Sequence, residues 1–334
     1  MLTPARVGCR SVSALSVALA AFLLNACSIN PPLNLSEMYP GQPRIQLSSV
    51  PFYPQEAYQC GPAALAGVLG AAGVDIAPSN LAPQVFLPGR QGSLQLELMG
   101  ASRRANRIPY IIDGAPGSLF AQLQAGRPVL VLQNLQTRDF PVWHFAVLVG
   151  FDAQSNRVYL NSGSKRGLEL SAPSFLRTWD WAGRWAMVVL RPGEMPEDVA
   201  LSPYLDAVAT FEEVVGGVAS EPAWEAAVRQ WPLDGRPYLA LGNLAYTRGD
   251  LRLAMHYYGR GLALSPGDPA LGNNLASVLG EMGCPEEGRA RLEPILEALP
   301  AGSNWELAMQ GTLAELLAQR QLSGAACNSL YPGK

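Results

Sequence analysis

Histidine is nearly missing from this chain: its 334 residues include two, His144 and His256. With one imidazole in each half and no grouping of cysteine with histidine, an ordinary zinc ligand set cannot be assembled, and neither metal nor cofactor is expected. The sequence has no Gly-x-x-x-x-Gly-Lys-Ser/Thr loop, which excludes the usual cradle for a nucleoside triphosphate. It has no set of segments long and apolar enough to be spanning helices. Dense basic runs are absent too, and the net charge is −3, so no nucleic-acid partner is expected. Charged residues make up only 15% against 49% hydrophobic, enough apolar material for two cores.

What stands out against this background is Cys60, in the string Tyr53-Pro54-Gln55-Glu56-Ala57-Tyr58-Gln59-Cys60-Gly61-Pro62-Ala63-Ala64-Leu65. A cysteine opening an apolar helical run feels the positive end of the macrodipole and unpaired backbone N–H groups, which favour thiolate over thiol. The same N–H groups can receive an oxyanion. Pro62 suits the first turn, residues 63–69 propagate a helix, and Gly70 and Gly73 end it.

A thiolate needs a base, and His256 lies in a stretch of helical repeats, where packing or a binding surface is its expected role. His144 is therefore the candidate. It begins His144-Phe145-Ala146-Val147-Leu148-Val149-Gly150, whose β-branched and aromatic content predicts a buried strand. After a turn at residues 152–156, Arg157-Val158-Tyr159-Leu160-Asn161 predicts a second strand, antiparallel to the first. That pairing would return Asn161 toward His144, where an amide can orient the imidazole. Taken singly, the three residues read as a buried small side chain, a core histidine and a turn residue. Their joint order points to nucleophile, base and orienting group.

Residues 47–192 resemble the papain-like peptidases that process double-glycine leader peptides of bacteriocins, and their stand-alone relatives. The resemblance rests on Val50-Pro51-Phe52-Tyr53-Pro54-Gln55, Cys60-Gly61-Pro62-Ala63, the strand from His144 to Asp152, and Val158-Tyr159-Leu160-Asn161, and it covers under half of the chain. It implies an α+β papain-like fold, attack by Cys60, acid and base chemistry by His144, orientation by Asn161, and oxyanion binding by Gln55, with Gln59 as the alternative. Asn161 stands where the leader peptidases more often carry aspartate. Without the nucleotide loop and spanning helices, the chain is not expected to be the peptidase half of an exporter. The segments 87–93 and 136–142 are expected to form loops over the cleft, with Trp143 beside His144.

Residues 1–26 have the layout of a signal peptide: Arg6 and Arg10, an apolar stretch over 12–24, then small residues. Leu24-Asn25-Ala26-Cys27 resembles the lipobox of bacterial lipoproteins. That resemblance implies acylation of Cys27, and Ser28 after it implies the outer membrane of a Gram-negative cell, periplasmic side. An ordinary secreted protein cleaved nearby is the alternative. Proline-rich residues 27–46 are expected to form a semi-extended tether.

Beyond Pro192 the apolar spacing becomes helical, and a 34-residue repeat emerges. Leu241 matches Leu275, Gly249 matches Gly283, and Pro266 matches Pro300. Tyr238, Leu241, Gly242, Ala245, Gly249, Ala254, Tyr258, Gly261 and Pro266 fall where tetratricopeptide repeats, which this region resembles, place packing residues. Residues 193–334 are thus expected to be all-α, with a degenerate helix pair over 203–231, a capping helix over 304–319, and a concave face for a peptide or protein partner, the alternative being a rigid spacer that buries the back of the first domain. Gly216-Gly217 resembles a double-glycine cleavage site but is expected to be a helix break. Residues 42–192 carry 13 basic and 8 acidic side chains and residues 193–334 carry 9 and 18, so the halves should attract one another, or the repeats should prefer basic partners. Of five cysteines, Cys9 falls in the signal segment, and Cys284 and Cys327 remain as a possible disulfide once Cys27 is lipidated and Cys60 is a thiol.

The expected protein is a membrane-anchored periplasmic cysteine peptidase working through a thioester, joined to repeats that hold substrate or partner. Its rivals are a non-catalytic scaffold of the same fold and an acyltransferase or amidase of the same clan.

Overall fold

The computed structural model describes residues 33–54, 59–90, 92–319 and 327. The signal segment, Cys27 and Gln55 lie outside the described residues.

An antiparallel sheet organises the first half, in the order β4 (Ile108–Ile111), β9 (Ala186–Leu190), β5 (Val129–Asn134), β6 (Trp143–Asp152), β7 (Arg157–Ser162), β8 (Lys165–Ser171). β1 (Ile45–Gln46) pairs with β6 beyond the point where β5 stops, placing Ile45 opposite Phe151. β6 is central and covered on both faces, which is why its sequence reads as an unbroken apolar run. Alternation sends Phe145, Val147 and Val149 to one face, where α2 (Cys60–Ala71), α3 (Pro78–Val85) and α4 (Gln95–Arg104) pack. Ala146 and Leu148 point to the other, under α5 (Pro116–Gln124) and α6 (Ala172–Asp180). The expected helix and strand pair are present as α2, β6 and β7. Segment 87–93 is not a plain loop, since β2 (Phe86–Leu87) pairs with β3 (Gly92–Ser93).

Residues 33–46, expected to be a spacer, belong to the fold. α1 (Leu35–Met38) buries Leu35 completely, and Asn156 clamps the segment, accepting from Leu35 N at 3.0 Å and donating to Leu33 O at 3.0 Å. Tyr39 packs between Phe120 and Phe151. The proline content suggested a tether, but Leu33, Leu35 and Tyr39 supply enough apolar surface to dock the chain.

The second half is helical: α7 (Leu201–Val215), α8 (Gly217–Gln230), α9 (Gly235–Thr247), α10 (Leu251–Leu264), α11 (Pro269–Glu281), α12 (Pro285–Glu297) and α13 (Glu306–Ala318). Helix starts at 201, 235 and 269, and at 217, 251 and 285, recur every 34 residues. Asp234, Asp250 and Asp268 cap three helices by accepting from backbone N–H groups of the first turn. Gly216 breaks the chain between α7 and α8 at φ +84°. Close approach explains a second glycine, because a Cβ on Gly242 would collide with the Tyr258 ring.

The apolar core does not stop at Pro192. Tyr204, Phe211, Trp224 and Leu241 share one cluster with Phe120, Leu148, Leu160 and Trp179 of the sheet region. Polar ties cross there too: Arg127 pairs with Glu197 at 2.9 Å, and Arg103 Nη2 donates to Thr210 Oγ1 at 3.1 Å. At the far end a disulfide joins Cys284 to Cys327, with Cα atoms 5.6 Å apart.

Two stability outcomes follow. Gly150→Ala places a Cβ on Ile45 O and close to Gln46 Cα, backbone that a rotamer change cannot move. It should cost about 2 kcal/mol or more in urea unfolding, and a Gln46→Ala change should not restore it. Reducing the Cys284–Cys327 bond, which closes 43 residues, should cost up to about 4 kcal/mol in the helical half on the chain-entropy description. Hydrogen exchange before and after reduction would locate the loss.

Candidate active site

The direction of α2 decides where Cys60 goes. At its C-terminus Ala72 O accepts from Arg107 Nε at 2.9 Å and Arg191 Nε at 3.0 Å. Arg107 leads into β4 and Arg191 follows β9, and the antiparallel registers put both at the end of the sheet where β5 starts. Twelve helical residues span about 18 Å. Cys60 is thereby carried to the opposite end, where β5 finishes at Asn134 and β6 begins with Trp143 and His144. There it lies against the cluster containing Phe145 and Trp185, whose rings meet edge to face at 5.8 Å.

Cys60 is a half-buried free thiol. Among the described residues the N–H groups that open its helix have no acceptor: the first intrahelical bond runs from Ala63 N to Gln59 O, Pro62 has no N–H, and the exposed Gln59 side chain does not cap the turn. No acidic residue occupies that turn to neutralise the helix end. Gly61 allows β3 to press against it, since a Cβ there would strike Ser93, whose buried Oγ has no partner among the described residues.

His144 is half-buried, and burial lowers its pKa by disfavouring the imidazolium. Across the β5–β6 ladder it faces Gln133, whose Nε2 donates to Thr178 Oγ1 of α6 at 2.7 Å. Its own Nε2 is 2.8 Å from Ser162 Oγ, the last residue of β7. Among the described residues no hydrogen bond joins Cys60 to His144. The two belong to the same end of the sheet but are carried there by separate elements, and strand alternation starts His144 on the face opposite to the one that α2 covers.

Asn161 has a different engagement. It is buried opposite Val147, and its Oδ1 accepts from Gly167 N at 3.0 Å. A bulge between Leu160 and Ser162 takes Gly167 out of the β7–β8 ladder, and the Asn161 amide satisfies the N–H so released. Sequence reasoning passed over Ser162. The bulge between Leu148 and Gly150 sets Asn161 opposite Val147 and so on the face away from His144, where an unbroken hairpin register would have put it opposite Leu148.

The loop over residues 135–142 is organised by the buried Asn134, which donates to Thr137 O at 2.8 Å and accepts from Gln136 N and Val142 N. It leaves Phe140 exposed, as is Trp143, the residue before His144. His256 lies far away in sequence and fold, exposed on α10 against Tyr257.

Comparison with known proteins places these observations. A C39-like peptidase from Bacillus anthracis is similar in structure at 19% identity and a TM-score of 0.38, covering 45% of this chain and 98% of its own. The peptidase domain of Streptococcus ComA, a bi-functional ABC transporter involved in a quorum-sensing pathway, is similar at 20% identity and a TM-score of 0.34, covering 42% of this chain and 98% of its own. No curated protein matches the chain. Residues 47–183, which include Cys60, His144, Asn161 and Ser162, match the model of the Peptidase_C39 like family.

Proposed function

We propose that the chain is a cysteine peptidase in which Cys60 is the nucleophile and His144 the base. The observation that carries this reading is the delivery of a free cysteine, on the open N-terminus of α2, to the end of the sheet where β6 presents its histidine. The match of residues 47–183 to the C39-like peptidase family supports it.

The chemistry is acyl transfer. His144 takes the Cys60 proton, the sulfur attacks a peptide carbonyl carbon, and the oxyanion is received by the Cys60 N–H with the Gln55 or Gln59 side chain. Collapse breaks the C–N bond as the imidazolium protonates the departing amine. Water, deprotonated by His144, then hydrolyses the thioester and releases the acid. An amine in place of water would make the same site an acyltransferase, so amine adducts among the products distinguish that outcome. Gln59 is at the N-cap with its side chain uncommitted to the helix, which supports its alternative role in the oxyanion site.

The wider reading keeps the chain on the periplasmic side of an outer membrane through a lipidated Cys27, with the 34-residue helix pairs as tetratricopeptide repeats that hold substrate or a protein partner. The three pairs in constant spacing support the repeat assignment. A non-catalytic scaffold is the second reading, favoured by the missing Cys60–His144 hydrogen bond.

Turnover of a peptide library separates the two. Hydrolysis should be abolished by Cys60→Ser and slowed about a hundredfold or more by His144→Ala. No hydrolysis by the wild type, with no acyl group trapped on Cys60 in mass spectra, would support the scaffold.

A further inference from the structure

We propose that Ser162, and not Asn161, is the positioning residue for His144; this rests on the reading of Cys60 and His144 as the reacting pair. Three observations carry it. The first is direct, the 2.8 Å approach of Ser162 Oγ to His144 Nε2. The second is register. The β6–β7 pairing ends with Val147 facing Asn161, and alternation turns the next residue of β7, Ser162, to the other face, which is the face of His144. The third is placement, because Asn161 is buried opposite Val147 with its Oδ1 bonded to Gly167 N.

The tautomer follows from this arrangement. If Nδ1 is to accept the Cys60 proton, the ring proton must reside on Nε2, and Nε2–H then donates to Ser162 Oγ. Ser162 fixes the ring rotation and leaves Nδ1 bare. Once Nδ1 is protonated, the same hydroxyl accepts from the imidazolium and holds it while the proton passes to the leaving amine. A hydroxyl does this without a negative charge, so it orients the ring while stabilising the imidazolium less than a carboxylate would.

With only two histidines, nitrogen-15 imidazole spectra of the full chain resolve His144 with His256 as internal reference. Wild type should show the neutral Nε2–H tautomer for His144. Ser162→Ala should mix the tautomers and lower kcat about tenfold at nearly constant KM, the scale of one lost hydrogen bond. Ser162→Thr should restore both signals, and Ser162→Asp should raise the His144 pKa by about one unit or more. Asn161→Asp, which keeps an acceptor for Gly167 N–H, should leave the tautomer as it is. The proposal is overturned if Ser162→Ala leaves the His144 spectrum unchanged, or if Asn161→Asp shifts it as strongly as Ser162→Asp does. Should wild type hydrolyse nothing, the peptidase reading fails by itself, while the imidazole spectra still decide which residue holds the ring.

Discussion

Two guanidinium groups donating to one carbonyl fix the geometry of the candidate site. Ala72 O, at the C-terminus of α2, is held by Arg107 from the approach to β4 and Arg191 from the exit of β9. Cations at this position satisfy a terminal carbonyl and complement the negative end of the helix dipole. They also tie the helix to two strand ends at once. Because β4, β9, β5 and β6 alternate in direction, the helix has one sense along the sheet, and its positive end arrives where β6 starts. Gly67 and Gly70 keep that seat close, since Pro51 lies where their side chains would be.

Much of this was legible from the residues. The helix opening at Cys60, the strand beginning near His144 and its antiparallel neighbour are local patterns, written in apolar periodicity and turn chemistry. The 34-residue period was also legible, because it repeats the caps and small residues that each helix pair needs. What escaped was register. Bulges between Leu148 and Gly150 and between Leu160 and Ser162 follow from the close approach of β1 to Gly150 and from the turn into β8, and no window of sequence displays either. A shift of one residue exchanges the two faces of a strand, and here it separates Asn161 from Ser162. The docking of residues 33–46 escaped for a related reason: their partners, Asn156, Phe120 and Phe151, are more than eighty residues away in the chain.

The continuous core gives the helical half a second task. One face of the sheet is completed by Tyr204, Phe211 and Trp224, so α7 and α8 cover the sheet as well as beginning the helical array. Tyr204 is buried completely, and its hydroxyl donates to Glu194 O in the segment that leaves β9. The boundary in composition near Pro192 is therefore not a boundary in packing. The first helix pair has to satisfy the sheet before it can be an ordinary repeat, which accounts for its poorer match to the later pairs.

Burial acts on His144 with little opposition from the hydroxyl beside it. Desolvation lowers the imidazole pKa from an ordinary value near 6.5, so the ring is mostly neutral at pH 7. A carboxylate in the place of Ser162 would oppose that shift and favour a standing ion pair with a thiolate. A hydroxyl opposes it weakly, and without an imidazolium there is little Coulombic attraction to draw Cys60 and His144 into contact before a substrate arrives. The unbonded cysteine and histidine at one end of the sheet are then what this electrostatic arrangement should produce. In the proposed reaction, contact between Cys60 and His144 would form once a peptide carbonyl is bound.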